Sequence, residues 1–411
     1  MKALRNFLDK LKPTFSEGGK LSALHSVYEG FEAFLFVSNQ TSKSGVHIHD
    51  SIDSKRVMFW VILALVPALL FGMYNTGYQH YLAIGLLEQT SFWQVFGWGA
   101  LAVLPYIVVS YLVGLGIEFI AAQIKKEEIQ EGFLVTGILI PLILPIGIPL
   151  WMVAVATAFS VIFAKEVFGG TGYNIFNVAL ITRAFLFFAY PTKMSGDSVW
   201  ISLNEYFGFG KAVPAVDGFS GATPMGQAAI ATGDSLQLTS PLGDPLSWWD
   251  MFLGLIPGSI GETSTLAILL GGAFLIATGV ASWKIILSVF AGGAATIFVF
   301  NTFAVNAYMA VPVWEQLCLG GFAFGAVFMA TDPVTSSRTE TGKWIYGFLI
   351  GVLAMILRVL NPAYPEGMML AILFMNIFAK LIDYYVVQHN INKRLKRATL
   401  SSNPAKTTPH E

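Results

Sequence analysis

Long apolar runs decide what this chain can fold into. A helix needs ~20 apolar residues to cross a bilayer. Ten runs meet or approach that length, at roughly 56–74, 98–121, 132–147, 149–168, 174–191, 264–282, 284–305, 314–331, 343–361 and 366–388. In lipid every backbone amide must find its partner within the protein, so such runs fold as helices. The expected fold is an all-α polytopic membrane protein with ten transmembrane helices. Composition agrees: 12% of the residues are charged, against ~25% in a soluble domain. A polar stretch of about 55 residues precedes the first run, which places that run too far in for a cleaved signal peptide. A net charge of −1 argues against a basic nucleic-acid binder. The one cysteine, Cys318, argues against a disulfide scaffold, a cysteine zinc site or a self-contained iron–sulfur cluster.

Lys and Arg assign the sides. The N-terminal stretch carries Lys2, Arg5, Lys10, Lys12, Lys20, Lys43, Lys55 and Arg56, and the C-terminal tail carries Lys393, Arg394, Lys396, Arg397 and Lys406. Both termini are therefore predicted cytoplasmic, which requires an even number of spans. The long loop then falls outside, holding only Lys193 and Lys211 against seven acids. The expected organisation is a cytoplasmic segment at 1–55 with an amphipathic helix, a first membrane unit at 56–191, an outer loop at 192–263, a second unit at 264–388 and a cytoplasmic tail at 389–411. Two groups of five spans, if they are repeats, must be inverted, and inverted repeats place sites where the halves meet. Gly132-Phe133 before Pro145 and Gly321-Phe322 before Pro333 are the trace of such a repeat. Chance similarity of Gly-rich segments is the alternative. Prolines 141, 145 and 149 break span three, and Asp332-Pro333 breaks span eight. Both read as half-helices, with ordinary kinked spans as the alternative.

Ionisable groups within spans are costly and often functional. They are Glu118, Glu166, Arg183, Arg358 and Asp383, with Asp332 at the break of span eight. Carboxylates at half-helix ends suit a hard cation such as sodium. Snorkelling, or pairing with Lys125, Lys165 or Lys380, is the alternative. Between spans four and five, Asn174 and Asn177 are three apart, the spacing of one helix face, and follow Gly169-Gly170-Thr171-Gly172. None of the six histidines lies within a predicted span, which argues against a bis-histidine haem. A Walker loop is absent, which argues against ATP-driven transport. No dinucleotide-binding βαβ unit is visible. In the outer loop, Ser220-Gly221-Ala222-Thr223 leaves Thr223 open among small residues on a flexible segment; read alone, this is a Gly/Ser turn. Gly258-Ser259 and Thr263-Ser264-Thr265 lead into span six, where free amides would cap the helix or face a phosphate.

Ser-Gly-Ala-Thr223 resembles the flavinylation motif of the B subunits of sodium-translocating NADH:quinone oxidoreductases. The segments Ala164–Gly172, Ile256–Glu262, Gly320–Gly325, Met329–Pro333 and Asn361–Ala371 are similar to that family as well, so the likeness covers nearly the whole chain. The resemblance implies FMN esterified through its phosphate to Thr223 by a separate flavin transferase, with Ser220, Gly221 and Ala222 completing the motif. It also implies a non-covalent riboflavin, for which Gly170, Thr171, Asn174 and Asn177 are the local candidates. Ubiquinone is the implied electron acceptor, near Gly114, Leu115 and Glu29; Leu115 stands where the family shows a second glycine. Acids at Glu29, Glu118 and Asp383 are implicated in cation uptake, and Asp332 is a further candidate. The implied setting is a six-subunit translocase of the bacterial inner membrane, whose periplasmic flavin-bearing C subunit is a partner. The D subunit of Rnf complexes, also flavinylated, is the near alternative. A flavin-free solute channel is the other, since ten inverted spans also resemble urea channels.

Overall fold

A computed structural model describes residues 2–15, 28, 32, 36, 44–46, 54–125, 132–231, 236–361 and 366–402. Helix α1 (Lys2–Phe15) is amphipathic. Tyr28 donates to the Leu8 carbonyl at 2.8 Å, and Glu32 pairs with Arg5 at 3.0 Å and Lys12 at 3.5 Å. Glu29 and His25 lie outside the described residues.

The first half contains α2 (Ser54–Ala83), α3 (Phe92–Lys125), α4 (Phe133–Leu142), α5 (Leu150–Ser160) and α6 (Val178–Ala189). The outer loop carries a hairpin of β1 (Asn204–Tyr206) and β2 (Phe209–Ala212), then α7 (Pro224–Ile230) and α8 (Trp248–Leu253). The second half contains α9 (Thr265–Ala277), α10 (Trp283–Thr302), α11 (Val313–Cys318), α12 (Phe322–Phe324), α13 (Glu340–Leu360) and α14 (Met368–Ser402). Two π-turns extend helices: Val161–Lys165 after α5, and Gly325–Met329 after α12.

The protein is an all-α polytopic membrane protein. Among the described residues six helices are long and apolar enough to cross a membrane: α2, α3, α5 with its extension, α10, α13 and α14. Helices α4, α6 and α9 are apolar but shorter, and residues 313–329 form a broken segment rather than one span. The cause lies in the breakers. Pro145 and Pro149 bound the coil that follows α4, and glycines 320 and 321, with φ of +63° and +67°, separate α11 from α12. Backbone freed in this way must be enclosed by protein. Ile140, Leu142, Ile143 and Leu144 are fully buried, as are Phe322 and Phe324. Helix α2 also runs past its expected end and takes in His80, which is buried, stacks on Trp98 at 3.7 Å and meets the Ser202 carbonyl at 2.7 Å. His80 was expected outside the spans; the apolar pattern fades before the helix does.

Close approach of backbones holds the bundle together, as small residues allow. A Cβ on Gly99 would sit 1.8 Å from the Met73 carbonyl, joining α3 to α2. Gly271 meets the Ala64 carbonyl in the same way, joining α9 to α2, and Gly292 meets that of Phe348, joining α10 to α13.

The two halves repeat some of each other's contacts, although α2 packs closely on α3 and α9 does not pack closely on α10. Helix α3 packs on α5 as α10 packs on α13, and the halves meet through α2 on α9 and α6 on α14. Detail repeats too. A Cβ on Gly114 would fall 1.8 Å from the Phe133 ring, and one on Gly293 would fall 2.6 Å from the Phe322 ring. Over Phe133 lies the Lys165 ammonium at 5.9 Å, and over Phe322 the Arg358 guanidinium at 5.8 Å. Each half thus seats the first aromatic of a short helix in a glycine notch beneath a cation.

Candidate functional site

Two cavities sit at opposite ends of α9. The first, of about 120 Å³, is lined by Val57, Gly132, Lys165, Thr171, Asn174, Asn177, Leu275, Ala281, Thr331 and Asp332 among others. Thr171, Asn174 and Asn177, expected as one flavin-binding segment, therefore share a wall with Asp332, a cation candidate from the other half. Asn174 and Asn177 do not share a helix face. Asn174 lies in the turn before α6, held through its amide to the Phe176 carbonyl at 3.0 Å. Asn177 is the N-cap of α6, and its Oδ1 accepts from the Leu180 amide at 3.2 Å. Asn177 Nδ2 donates to Asp332 at 3.2 Å, across the junction of the halves. Asp332 also accepts from the Val334 amide at 3.0 Å and the Thr335 hydroxyl at 3.2 Å. Gly170 is not in the wall. It makes the turn, at φ +95°, and donates to the Lys165 carbonyl at 3.0 Å.

Thr171 Oγ1 is buried with no hydrogen-bond partner. Gly132 makes room for it, since a Cβ there would meet Thr171 at 2.5 Å. A buried hydroxyl without a partner costs ~1–3 kcal/mol, so Thr171 offers this wall a hydroxyl that a polar ligand could satisfy. Donors from Lys165, Thr171 and an asparagine amide, with apolar Val57 and Leu275 facing them, fit the carbonyls and flat face of an isoalloxazine ring.

The second cavity, about 30 Å³, is lined by Thr223, Gly258, Ser259, Glu262, Thr263, Cys318, Gly320, Gly321 and Glu366 among others. Thr223 is the N-cap of α7, its Oγ1 accepting from the Gly226 amide at 3.0 Å. An ester oxygen keeps that acceptor role, so esterification leaves the cap in place. The segment was expected to be flexible, yet it is pinned. A Cβ on Gly221 would meet the Asp197 carbonyl at 2.1 Å, and the Ser220 amide donates to Pro241 at 2.9 Å. Gln227 Nε2 donates to the Thr239 carbonyl at 2.9 Å. Ala222 is buried. The capping expectation for the start of α9 is met by Ser264, which accepts from the Ala267 amide at 3.2 Å, and Gly258 and Ser259 line the same cavity as Thr223.

Beneath this cavity lies a buried charge network. Arg183 Nη1 donates to both Glu262 oxygens at 3.0 Å and to Ser259 at 3.3 Å, and the guanidinium also bonds Glu366 and the Ile143 carbonyl. Arg358 holds the turn before α12 by donating to the carbonyls of Gln316, of Leu319 at 3.0 Å and of Gly320 at 3.2 Å.

Residues 41–392 match the model of the NQR2, RnfD, RnfE family. The chain belongs to that family. It is 46% identical to the B subunit of the Na(+)-translocating NADH-quinone reductase of Pseudomonas aeruginosa, over 96% of this chain and 99% of that protein. The proteins of the same name from Chromohalobacter salexigens and Klebsiella pneumoniae are also 46% identical over 96% of the chain.

The remaining candidates of this NQR2, RnfD, RnfE chain stand apart from the two cavities or beside them. Gly114 is filled by the Phe133 ring, so it faces the core rather than an open wall, and Leu115 packs half-buried at the edge of that core. Glu118 and Lys165 form a buried ion pair, with Lys165 reaching the first cavity. Glu166 pairs with Lys125 at 2.7 Å. Asp383 accepts from the hydroxyls of Ser337 at 2.5 Å and Thr339 at 2.7 Å, and from the amides of Arg338 at 2.8 Å and Thr339 at 3.0 Å. Glu366 is the residue that sequence reasoning missed. Arg183, deep in an apolar helix, was the signal, since a charge there demands an acidic partner.

Proposed function

We propose that this chain is the membrane subunit of a sodium-translocating NADH:quinone reductase, carrying covalent FMN on Thr223 and a non-covalent riboflavin in the first cavity. The observation that carries the reading is the pair of polar cavities at opposite ends of α9, one lined by Thr223 and the other by Thr171, Asn174 and Asn177. The thirteen residues of α9 at ~1.5 Å each set them about 20 Å apart. With both termini cytoplasmic in a bacterial inner membrane, Thr223 faces the periplasm and the Asn174–Asn177 turn faces the cytoplasm.

Flavins supply one- and two-electron chemistry when bound. The chain's own residues hold them. Thr223 Oγ1 takes the phosphoester, with Gly258 and Ser259 opposite and Arg183 neutralising Glu262 and Glu366 behind. Lys165, Thr171, Asn174 and Asn177 hold the riboflavin ring. Electrons enter from the flavin-bearing C subunit outside and leave to ubiquinone near α3 and the N-terminal segment. Glu118, Asp332 and Asp383, all towards the cytoplasmic side, are the cation candidates, with Glu29 a further one. NADH oxidation belongs to another part of the complex.

Thr223→Val keeps the shape and removes the hydroxyl. In a denaturing gel the variant chain is expected to lose its covalent flavin fluorescence entirely. Retained fluorescence overturns the assignment.

A further inference from the structure

One side chain of the first cavity is left unexplained by the Gly-Gly-Thr-Gly turn beside it. A lysine at the cytoplasmic end of a membrane helix ordinarily snorkels towards water. Lys165 does the reverse. Its side chain and that of its partner Glu118 are each 5% exposed. The π-turn Val161–Lys165 ends on it, and π-turns inside helices frequently mark functional sites. The extra residue of that turn re-aims the ammonium inward, over Phe133 and against the Glu118 carboxylate. The same side chain lines the cavity that also holds Thr171 and Asn177.

In low dielectric a buried charge acts strongly on whatever sits beside it. We propose that Lys165 is the residue that sets the electron affinity of the first cavity, and that Glu118 trims its effect. This rests on the reading that the cavity holds a non-covalent flavin. One electron, delivered through the outer flavin, adds one negative charge to the ring; no bond forms or breaks and no proton moves in this step. The Lys165 ammonium favours that added charge. The Glu118 carboxylate opposes it, directly and by drawing the ammonium towards itself. A lysine serving only to anchor α5 against α3 would have no such signed effect.

The experiment uses the whole complex, with the midpoint potential of the non-covalent flavin read by spectroelectrochemistry. Lys165→Met is expected to lower it by the equivalent of at least tenfold in the one-electron equilibrium constant, ~59 mV. Lys165→Arg keeps the charge and is expected to stay near the wild-type potential. Glu118→Gln is expected to raise it. Unmoved potentials, or both neutral variants moving the same way, overturn the proposal. If Lys165→Met loses its riboflavin, Glu118→Gln decides alone, and a potential at or below wild type overturns the proposal. Riboflavin content, measured after acid extraction, separates this from the underlying reading: wild-type complex without extractable riboflavin, or content untouched by Asn177→Ala, sinks that reading instead.

Discussion

The glycine notches are where single atoms decide most. Gly114→Ala would set a methyl 1.8 Å from the Phe133 ring, and Gly293→Ala one 2.6 Å from that of Phe322. Both rings are fully buried and have nowhere to retreat. Overpacking of this kind costs about 1–3 kcal/mol. Both variants are expected to lower the detergent melting temperature, Gly114→Ala by more, and an unchanged melting temperature would show that the notch gives way. Arg183 is the other decisive residue. Arg183→Met leaves Glu262 buried and uncompensated, which costs about 3–5 kcal/mol. The expected result is poor recovery of folded protein, improved when Glu262→Gln is added. Arg183 itself was legible as an in-span charge. Its partners were not, because Glu262 reads as one of many outer-loop acids and Glu366 follows a Pro-rich stretch of sequence. Which acid folds back onto a buried guanidinium is a property of the tertiary fold.

Among the elements, the long helices were readable because twenty apolar residues have one stable form in lipid. Their ends were less so. Helix α2 continues to Ala83 through Asn75, Gln79 and His80, polar residues that a hydropathy reading assigns to a loop. In the fold they are buried and bonded, Asn75 to the Ile256 carbonyl at 2.9 Å and His80 to that of Ser202. The half-helices were legible from their prolines and glycines, and Gly132-Phe133 and Gly321-Phe322 now have a reason to match: each pair places a ring in a notch. The Asn174–Asn177 pairing was legible in its residues and not in its geometry, since a turn and a helix cap bring both amides to one wall. Connector 333–339 depends on α14 through Asp383, whose oxygens accept the Arg338 and Thr339 amides. Asp383→Asn is expected to speed hydrogen exchange at those two amides, leaving α10 unchanged. Equal protection in both proteins would show the connector is held by other contacts. As cation candidates, Glu118→Gln and Asp383→Asn are each expected to raise the sodium concentration for half-maximal quinone reduction, and unaltered sodium dependence in both sinks that role.

At the level of the whole molecule, sparse charge has two consequences. Few charges remain for the surface, so most of the helix exterior is apolar, with Leu112, Ile124 and Phe298 among its exposed side chains. Most of the buried charges come in pairs or networks, Glu118 with Lys165 and Arg183 with Glu262 and Glu366, while Arg358 is held by backbone carbonyls. One such group lies beside each cavity. Two polar pockets thus lie at opposite ends of one apolar bundle, an arrangement that suits the proposed electron carrier. A solute channel of the same fold has no need of an esterified hydroxyl. The most direct measurement is the intact mass of the chain purified from its own membranes, followed by peptide mapping. The expected result is the added mass of one FMN, carried on the peptide that contains Thr223. An unmodified chain, or a flavin on any other residue, would contradict it.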